Sequence, residues 1–246
     1  MKQPYLSVIF PAYNEVARLP AALHEATWYF RNWPEKVEII VVENGSSDGT
    51  YNVAQKEALE VARIGSNLVI KPCRSAPGKG HACRKGMEIA TGHRILFSDV
   101  DLSTPVHETG RLLAAIQRDA ADLVVGSRKL AGSVVTGLSK KRDLTSNIFT
   151  RLANSLTPGI KDTQCGFKMI TAEAARRIAP LLTLGGYAWD VELIHIAMQL
   201  GYKVAEVPVQ WVHDPDSKVN IIRDSARMAA DLIRIRRNNA LGRYIP

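Results

Sequence analysis

Two aspartates, Asp99 and Asp101, follow the apolar run Ile95-Leu96-Phe97 after a single serine, Ser98. Carboxylates two residues apart at the end of a strand can share a hard divalent ion. Mg2+ and Mn2+ commonly take one or two carboxylates plus diphosphate oxygens. The competing reading is a capped turn ahead of a helix starting at Pro105, because Asp favours such turns. Three earlier apolar runs also end in polar clusters: Pro11-Ala12-Tyr13-Asn14-Glu15, then Glu43-Asn44-Gly45-Ser46-Ser47-Asp48-Gly49-Thr50, then Pro77-Gly78-Lys79-Gly80. Open α/β sheets bind ligands beyond the carboxyl ends of their strands. Four successive run ends of this kind point to a ligand site rather than to packing.

The ligand should be anionic. The 246 residues carry 32 Lys+Arg against 24 Asp+Glu, a formal charge of +8, which favours an anionic partner. Arg128, Lys129, Lys140, Lys141 and Arg142 lie between Gly126 and Arg142 with no acid among them. Arginine binds phosphate bidentately, so Arg128 and Arg142 are candidate phosphate ligands. Several other chemistries lack their signatures. There is no G-x-G-x-x-G after a strand, no complete Walker A loop around Gly78-Lys79-Gly80, no G-x-S-x-G and no H-E-x-x-H. His81, His93, His195 and His213 fall at no metal-ligand spacing.

The elements that must position these residues alternate. Strands are predicted at Leu6 to Phe10, Val37 to Val42, Leu68 to Lys71, Arg94 to Ser98, Leu123 to Gly126 and Lys203 to Val209. Helices are predicted at Val16 to Asn32, Gly49 to Ala62, Gly78 to Ala90, Pro105 to Arg118, Leu144 to Ser155, Ala172 to Ile178 and Val191 to Leu200. This is the pattern of a mostly parallel sheet with helices on both faces. Gly132 to Lys141, rich in Gly, Ser, Thr and Lys, reads as a mobile loop.

The last segment differs. Ile221, Ser225, Met228, Leu232 and Ile235 share one helical face, with Arg223, Arg227 and Arg234 opposite. Such a basic amphipathic helix can lie in a membrane interface, or dock on its own core. The reading therefore separates a catalytic body, residues 1–216, from a basic helical tail, residues 217–246. Hydrophobic residues make up 46% of the chain, which excludes a disordered or fibrous protein. No apolar run reaches the length that spans a bilayer, and Met1 leads into a strand without the apolar core of a signal peptide. Three widely spaced cysteines, Cys73, Cys83 and Cys165, argue for a reducing compartment and against a disulfide framework.

The strings FPAYNE, VVENGSSDGT, GKGHA, SDVDLSTP, VVGSR, DTQCGFK and WDVEL occur in this order. Their succession resembles the family-2 inverting glycosyltransferases of GT-A fold. With the tail WVHDPDSKVNIIRDS it is most similar to the polyprenyl-phosphate sugar transferases of the dolichyl-phosphate β-glucosyltransferase type. The resemblance implies a GT-A α/β fold and a metal-dependent inverting hexosyltransferase. The expected reaction moves glucose from UDP-glucose to a polyprenyl or dolichyl phosphate; GDP-mannose and UDP-N-acetylhexosamine are the alternative donors. It further implies Mg2+ or Mn2+ as cofactor and a place on the cytoplasmic face of a membrane, with no nucleic-acid partner. Oligomeric state stays open. A nucleotidyltransferase is the competing enzyme class, disfavoured because Pro-Ala-Tyr-Asn-Glu stands where its glycine-rich arginine loop would be; a non-catalytic protein binding anionic lipid is the competing non-enzyme.

Carried over by position, the resemblance assigns Pro11, Ala12, Tyr13 and Glu15 to base and ribose, with Glu43 as the acidic contact and Lys79 near the nucleotide. Asp99 and Asp101, with Val100 between them, would hold the metal-diphosphate. Arg128, Arg142 and Lys168 would meet the acceptor phosphate, and Asp162 would orient the acceptor or a lysine. Asp190 and Glu192 would face the sugar or brace the acceptor loop, against a helix cap and a core-edge glutamate as the alternatives. Glu43-Asn44-Gly45-Ser46 departs from the usual Asp-Asp-Gly-Ser, and the longer glutamate bears on the choice between uracil and guanine.

Overall fold

The apolar runs form strands whose alternating side chains feed two cores. In the computed structural model, which describes residues 3–65, 67–137, 149, 152–214 and 221–245, β1 (Leu6–Ala12), β2 (Val37–Glu43), β3 (Leu68–Arg74), β4 (Arg94–Phe97) and β5 (Leu123–Ser127) follow the predicted order. Every residue of β2 is buried, as expected for a parallel strand covered on both faces. Val8, Phe10, Ile39, Val41 and Leu96 enter one apolar cluster, and Ile9, Ile40, Val42, Ile95 and Phe97 enter the other.

Between and beyond these strands lie α1 (Leu19–Phe30), α2 (Thr50–Ile64), α3 (Lys79–Ile89) and α4 (Thr109–Asp119). β6 (Val134–Thr136) and β7 (Lys168–Thr171) lie outside the predicted set, and β8 (Val204–Pro208) is trimmed from it. A short β9 (Gln210–Val212) follows, and α5 (Ala172–Ile178), α6 (Trp189–Gln199) and α7 (Ile221–Ala240) complete the fold. The seven-stranded sheet has the order β3-β2-β1-β4-β7-β5-β8. Only β7 runs antiparallel, wedged between β4 and β5.

Strands β6 and β9 form a separate two-stranded ribbon with Val135 opposite Trp211. The stretch read as a mobile loop from its Gly, Ser and Thr content thus contains a paired strand. The predicted helix from Leu144 lies largely outside the described residues. Gly49, at φ 85°, holds the cap position of α2, and the Asp48 carboxylate before it accepts from the backbone N–H of Thr50 (3.0 Å), the first residue of α2, and of Val16 (3.1 Å).

The tail does not stand apart from the body. Leu232 and Ile235, 4% and 0% exposed, and Tyr244 belong to the same apolar cluster as Phe97 and Trp189. Asn238 Nδ2 donates to Thr183 Oγ1 (3.1 Å), and Tyr244 OH donates to Glu192 Oε1 (2.8 Å). From Leu232 onward, the stripe that could have met a membrane or a core is spent on the protein's own core, because amphipathy reports an apolar neighbour without saying which one. No helix among the described residues is long and apolar enough to cross a membrane. Cys73, Cys83 and Cys165 are free thiols, the last two buried.

Candidate active site

The carboxyl ends of β1 and β2 are stitched to one another. Ala12 O accepts from Asn44 N (3.0 Å) and Asn44 Nδ2 (2.9 Å). Asn14, at φ 53°, donates its N–H to Ser46 Oγ (2.9 Å) and accepts from Ser47 N (2.8 Å). Glu15 N donates to Thr50 Oγ1 (2.8 Å). Tyr13 projects outward, 49% exposed. Glu43 is buried, accepts from Ser46 N, and lies 3.6 Å from Arg74 Nε. Glu43 therefore shapes the turn that follows β2.

Glu15 is differently engaged from its assigned role. Its two carboxylate oxygens hold Arg18 Nε and Nη2, each at 2.8 Å, and Arg18 also pairs with Asp214 from the far end of the chain. Glu15 and Asp214 raise the Arg18 guanidinium against the cost of its burial, and the Asp101 charge adds to the effect. Arg18 and Asp214 were not singled out in the sequence. Asp214 lies inside the tail string quoted for the resemblance, whereas Arg18 carries no local signal.

The start of α3 comes close to backbone. Gly80 N donates to Gly185 O (2.9 Å), and a Cβ on Gly78 or Gly80 would collide with the carbonyls of Gly185 and Leu184. Gly78 also has φ 118°, which favours glycine. These two glycines let Lys79 reach the end of β4, where its Nζ lies 2.6 Å from Asp99 Oδ1. Burial works against the Lys79 charge, but Asp99 and Asp190 outweigh it and raise the ammonium.

Asp99 rests directly on Gly166: a side chain there would overlap its carboxylate. Asp101 Oδ1 accepts from Ser103 N (2.9 Å). Burial pushes the Asp101 carboxyl up, and the adjacent Asp99 charge pushes it further. Val100 between them is buried. A divalent cation fits this pair, because two crowded carboxylates gain from a nearby positive charge. Among the described residues no group of three or more His, Cys, Asp or Glu could hold an ion. The chain would thus supply two carboxylates and leave other coordination positions to substrate oxygens and water, as Mg2+ and Mn2+ accept.

At the end of β5, Arg128 is clamped by Asp162. The carboxylate accepts from Arg128 Nε (2.7 Å), Nη2 (2.8 Å) and backbone N (2.9 Å). Burial would raise the Asp162 carboxyl, but Arg128 overrides it and holds it at about 2. Asp162 is thus ionised at neutral pH, with its charge engaged by Arg128. The backbone N–H groups of Lys161 and Asp162 donate to Glu206 (2.8 and 2.9 Å), which fixes the loop from β8. The Arg128 guanidinium lies 5.4 Å from the ring centroid of Trp211. Glu206 and Trp211 are further site-building residues that spacing did not reveal.

The structure corrects the assignment of Lys168 and narrows those of Glu192 and Asp190. Lys168 is not an available phosphate ligand: it is fully buried, paired with Asp190, and donates to Cys165 O (2.5 Å). Glu192 does not face a sugar. It accepts from Thr183 N and Oγ1, Leu184 N (2.8 Å) and Tyr244 OH (2.8 Å), and so braces the 183–186 loop that abuts α3. Asp190, raised by burial although Lys168 and Lys79 oppose that, is likewise an interior partner. Arg142 lies outside the described residues.

One edge of a mostly parallel sheet thus carries a carboxylate pair at the end of a central strand and a clamped arginine at the end of β5, an arrangement able to hold an anionic substrate. Residues 7–179 match the profile of glycosyl transferase family 2, and the chain belongs to that family. Its fold is of the GT-A type. Dolichyl-phosphate beta-glucosyltransferase of Dictyostelium discoideum is 36% identical over 97% of this chain and 76% of its own length. The enzyme of the same name from Mus musculus is 36% identical over 94% of this chain and 74% of its own. Among solved structures, glucosyl-3-phosphoglycerate synthase from Mycobacterium tuberculosis, in complex with Mn2+, uridine-diphosphate-glucose and phosphoglyceric acid, shares the fold. Its TM-score is 0.66 at 20% identity, over 99% of this chain and 81% of that one.

Proposed function

We propose that this glycosyltransferase transfers glucose from UDP-glucose to a polyprenyl or dolichyl phosphate with inversion, giving a β-linked lipid-phosphate sugar at the cytoplasmic face of a membrane. The observation that carries the reading is the pairing of two opposed charge centres on one sheet edge. One is the carboxylate pair Asp99/Asp101 with Lys79, and the other is Arg128 on its buried Asp162 counterion. The names of the relatives supply the substrate class.

Each centre answers one demand of the reaction. The donor's diphosphate gains negative charge as its bond to the sugar breaks, and Lys79 with the α3 N-terminus would offset that charge. Mg2+ or Mn2+ held by Asp99 and Asp101 would act as a Lewis acid on the departing diphosphate. The acceptor phosphate has a second pKa near ~6 and is largely ionised at neutral pH, so the nucleophile needs cations rather than a base. Arg128 presents its guanidinium in a fixed orientation, and Arg142 is proposed as a second phosphate ligand. Attack from the face opposite the diphosphate inverts the anomeric centre.

Transfer of radiolabel from UDP-glucose, GDP-mannose and UDP-N-acetylglucosamine to a polyprenyl phosphate in the presence of Mn2+ tests the reading. Lipid-linked product from UDP-glucose alone is the expected result. Product from GDP-mannose would move the specificity to the turn shaped by Glu43, and no lipid-linked product from any donor would refute the proposal.

A further inference from the structure

From Leu232 onward the apolar stripe of α7 is buried in the protein's own core, which leaves open where this protein meets the bilayer that holds its acceptor. We propose that the outer face of the β6–β9 ribbon is that contact, with an anionic lipid surface as its partner. The inference rests on the acceptor reading above and names the surface that serves it.

Four observations converge on the ribbon. First, its side chains divide cleanly. Val135, Trp211 and His213 are half-buried, with the Trp211 and His213 rings stacked at 5.9 Å, whereas Val134 and Val212 are 57% and 52% exposed. Facing partners in a ribbon share a side, and Thr136 lies opposite Val212. The outer face is therefore Val134, Thr136, Gln210 and Val212, with no charged group in it. Exposed β-branched side chains flanked by Ala131, Gly132 and Gly137 suit insertion among lipid headgroups, where a carboxylate would be costly.

Second, the ribbon is tied directly to both charge centres. Val212 N donates to Ser103 O (2.8 Å), and Ser103 N donates to Asp101 Oδ1 (2.9 Å). On the other side Val134 N donates to Val209 O (3.2 Å), Val209 N to Ser127 O (3.2 Å), and Trp211 underlies Arg128. Third, the sequence on either side of β6 has the matching sign: Arg128 and Lys129 precede it and Lys140, Lys141 and Arg142 follow it in the chain, without an acid between Gly126 and Arg142. Basic residues close to an anionic leaflet are attracted to it. Fourth, the geometry suits an amphiphile. A lipid phosphate can keep its hydrocarbon in the bilayer on the outer side of the ribbon while its headgroup reaches Arg128 on the inner side.

The test is vesicle flotation of the purified chain with phosphatidylcholine and with phosphatidylcholine/phosphatidylglycerol vesicles, for wild type, Val134→Asp/Val212→Asp and Arg234→Glu/Arg237→Glu. Parallel assays use UDP-glucose with water-soluble citronellyl phosphate and with a long polyprenyl phosphate embedded in the vesicles. Wild type is expected to float with the anionic vesicles. The valine variant should lose at least tenfold in that binding and in turnover of the embedded acceptor, while its turnover of citronellyl phosphate stays within twofold. That last result also shows the variant to be folded. Wild type that fails to float, undiminished flotation of the valine variant, or loss confined to the arginine variant on α7 would each overturn the proposal. If wild type floats as expected but glucosylates neither acceptor, the acceptor reading fails and the membrane surface stands.

Discussion

Replacing Asp162 by asparagine keeps the shape of the Arg128 clamp and removes its charge. The carboxyl sits at about 2 in the fold against an ordinary 3.8, and at roughly 1.4 kcal/mol per pH unit that depression is worth about 2 kcal/mol. A lowered carboxyl contributes its stability above the unfolded value and loses it as pH falls through about 2, so the full contribution is present at pH 7. Asparagine removes it and leaves Arg128, whose side chain is 18% exposed, without its counterion. Breaking a buried pair from one side costs ~3–5 kcal/mol. Urea unfolding at pH 7 should therefore show a loss between about 2 and about 5 kcal/mol. With the guanidinium released, KM for the lipid phosphate should rise at least ~10-fold, since hydrogen bonds to charged groups contribute ~1.5–3 kcal/mol. The pH–rate profile between pH 5.5 and 8.5 should keep its shape, because a carboxyl at about 2 does not titrate there. Wild-type stability with an unchanged acceptor KM would refute the clamp. Disappearance of an ionisation near neutral pH would show instead that Asp162 works as a base.

Asp101→Asn should lower turnover at least ~100-fold, a Lewis-acid contribution of several kcal/mol. Its melting temperature without added metal should not fall, because the substitution relieves the repulsion from Asp99; thermal unfolding with and without Mn2+ reads both effects. Gly166→Ala should displace the Asp99 carboxylate that rests on it, weakening Mn2+-dependent UDP binding ~10-fold or more by calorimetry while the protein stays folded. Lys168→Met alone leaves the Asp190 carboxylate buried and unpaired, at a cost of ~3–5 kcal/mol in urea unfolding. The double variant with Asp190→Asn should recover part of that loss, and equal losses for the two would show the pair to be unimportant.

What could be read from the sequence was local. The β1, β2 and β4 runs, and the polar residues at their ends, follow from apolar patterning that any parallel sheet imposes, so Asp99, Asp101 and Lys79 are found at one edge as expected. β7 escaped notice because it is only four residues long, Lys168–Thr171, starts on the last residue of a motif and pairs antiparallel with strands distant in sequence. Lys168 and Glu192 illustrate a related limit. A charged residue in a motif looks available until its long-range partner is seen, Asp190 for one and the 183–184 backbone with Tyr244 for the other. Arg18 and Asp214 meet across 196 positions, a separation no spacing rule covers. The α7 stripe was correctly periodic, but periodicity does not distinguish a core from a bilayer.

The central claim is that one sheet edge holds the donor's diphosphate through Asp99 and Asp101 and presents Arg128 to the incoming phosphate. The most direct measurement is a crystal structure with UDP-glucose and Mn2+, with the ion located by its anomalous signal. The account predicts one Mn2+ bound by the Asp99 and Asp101 carboxylates and by diphosphate oxygens, with the anomeric carbon open toward Arg128. Manganese bound elsewhere, or a sugar facing away from that guanidinium, would contradict it.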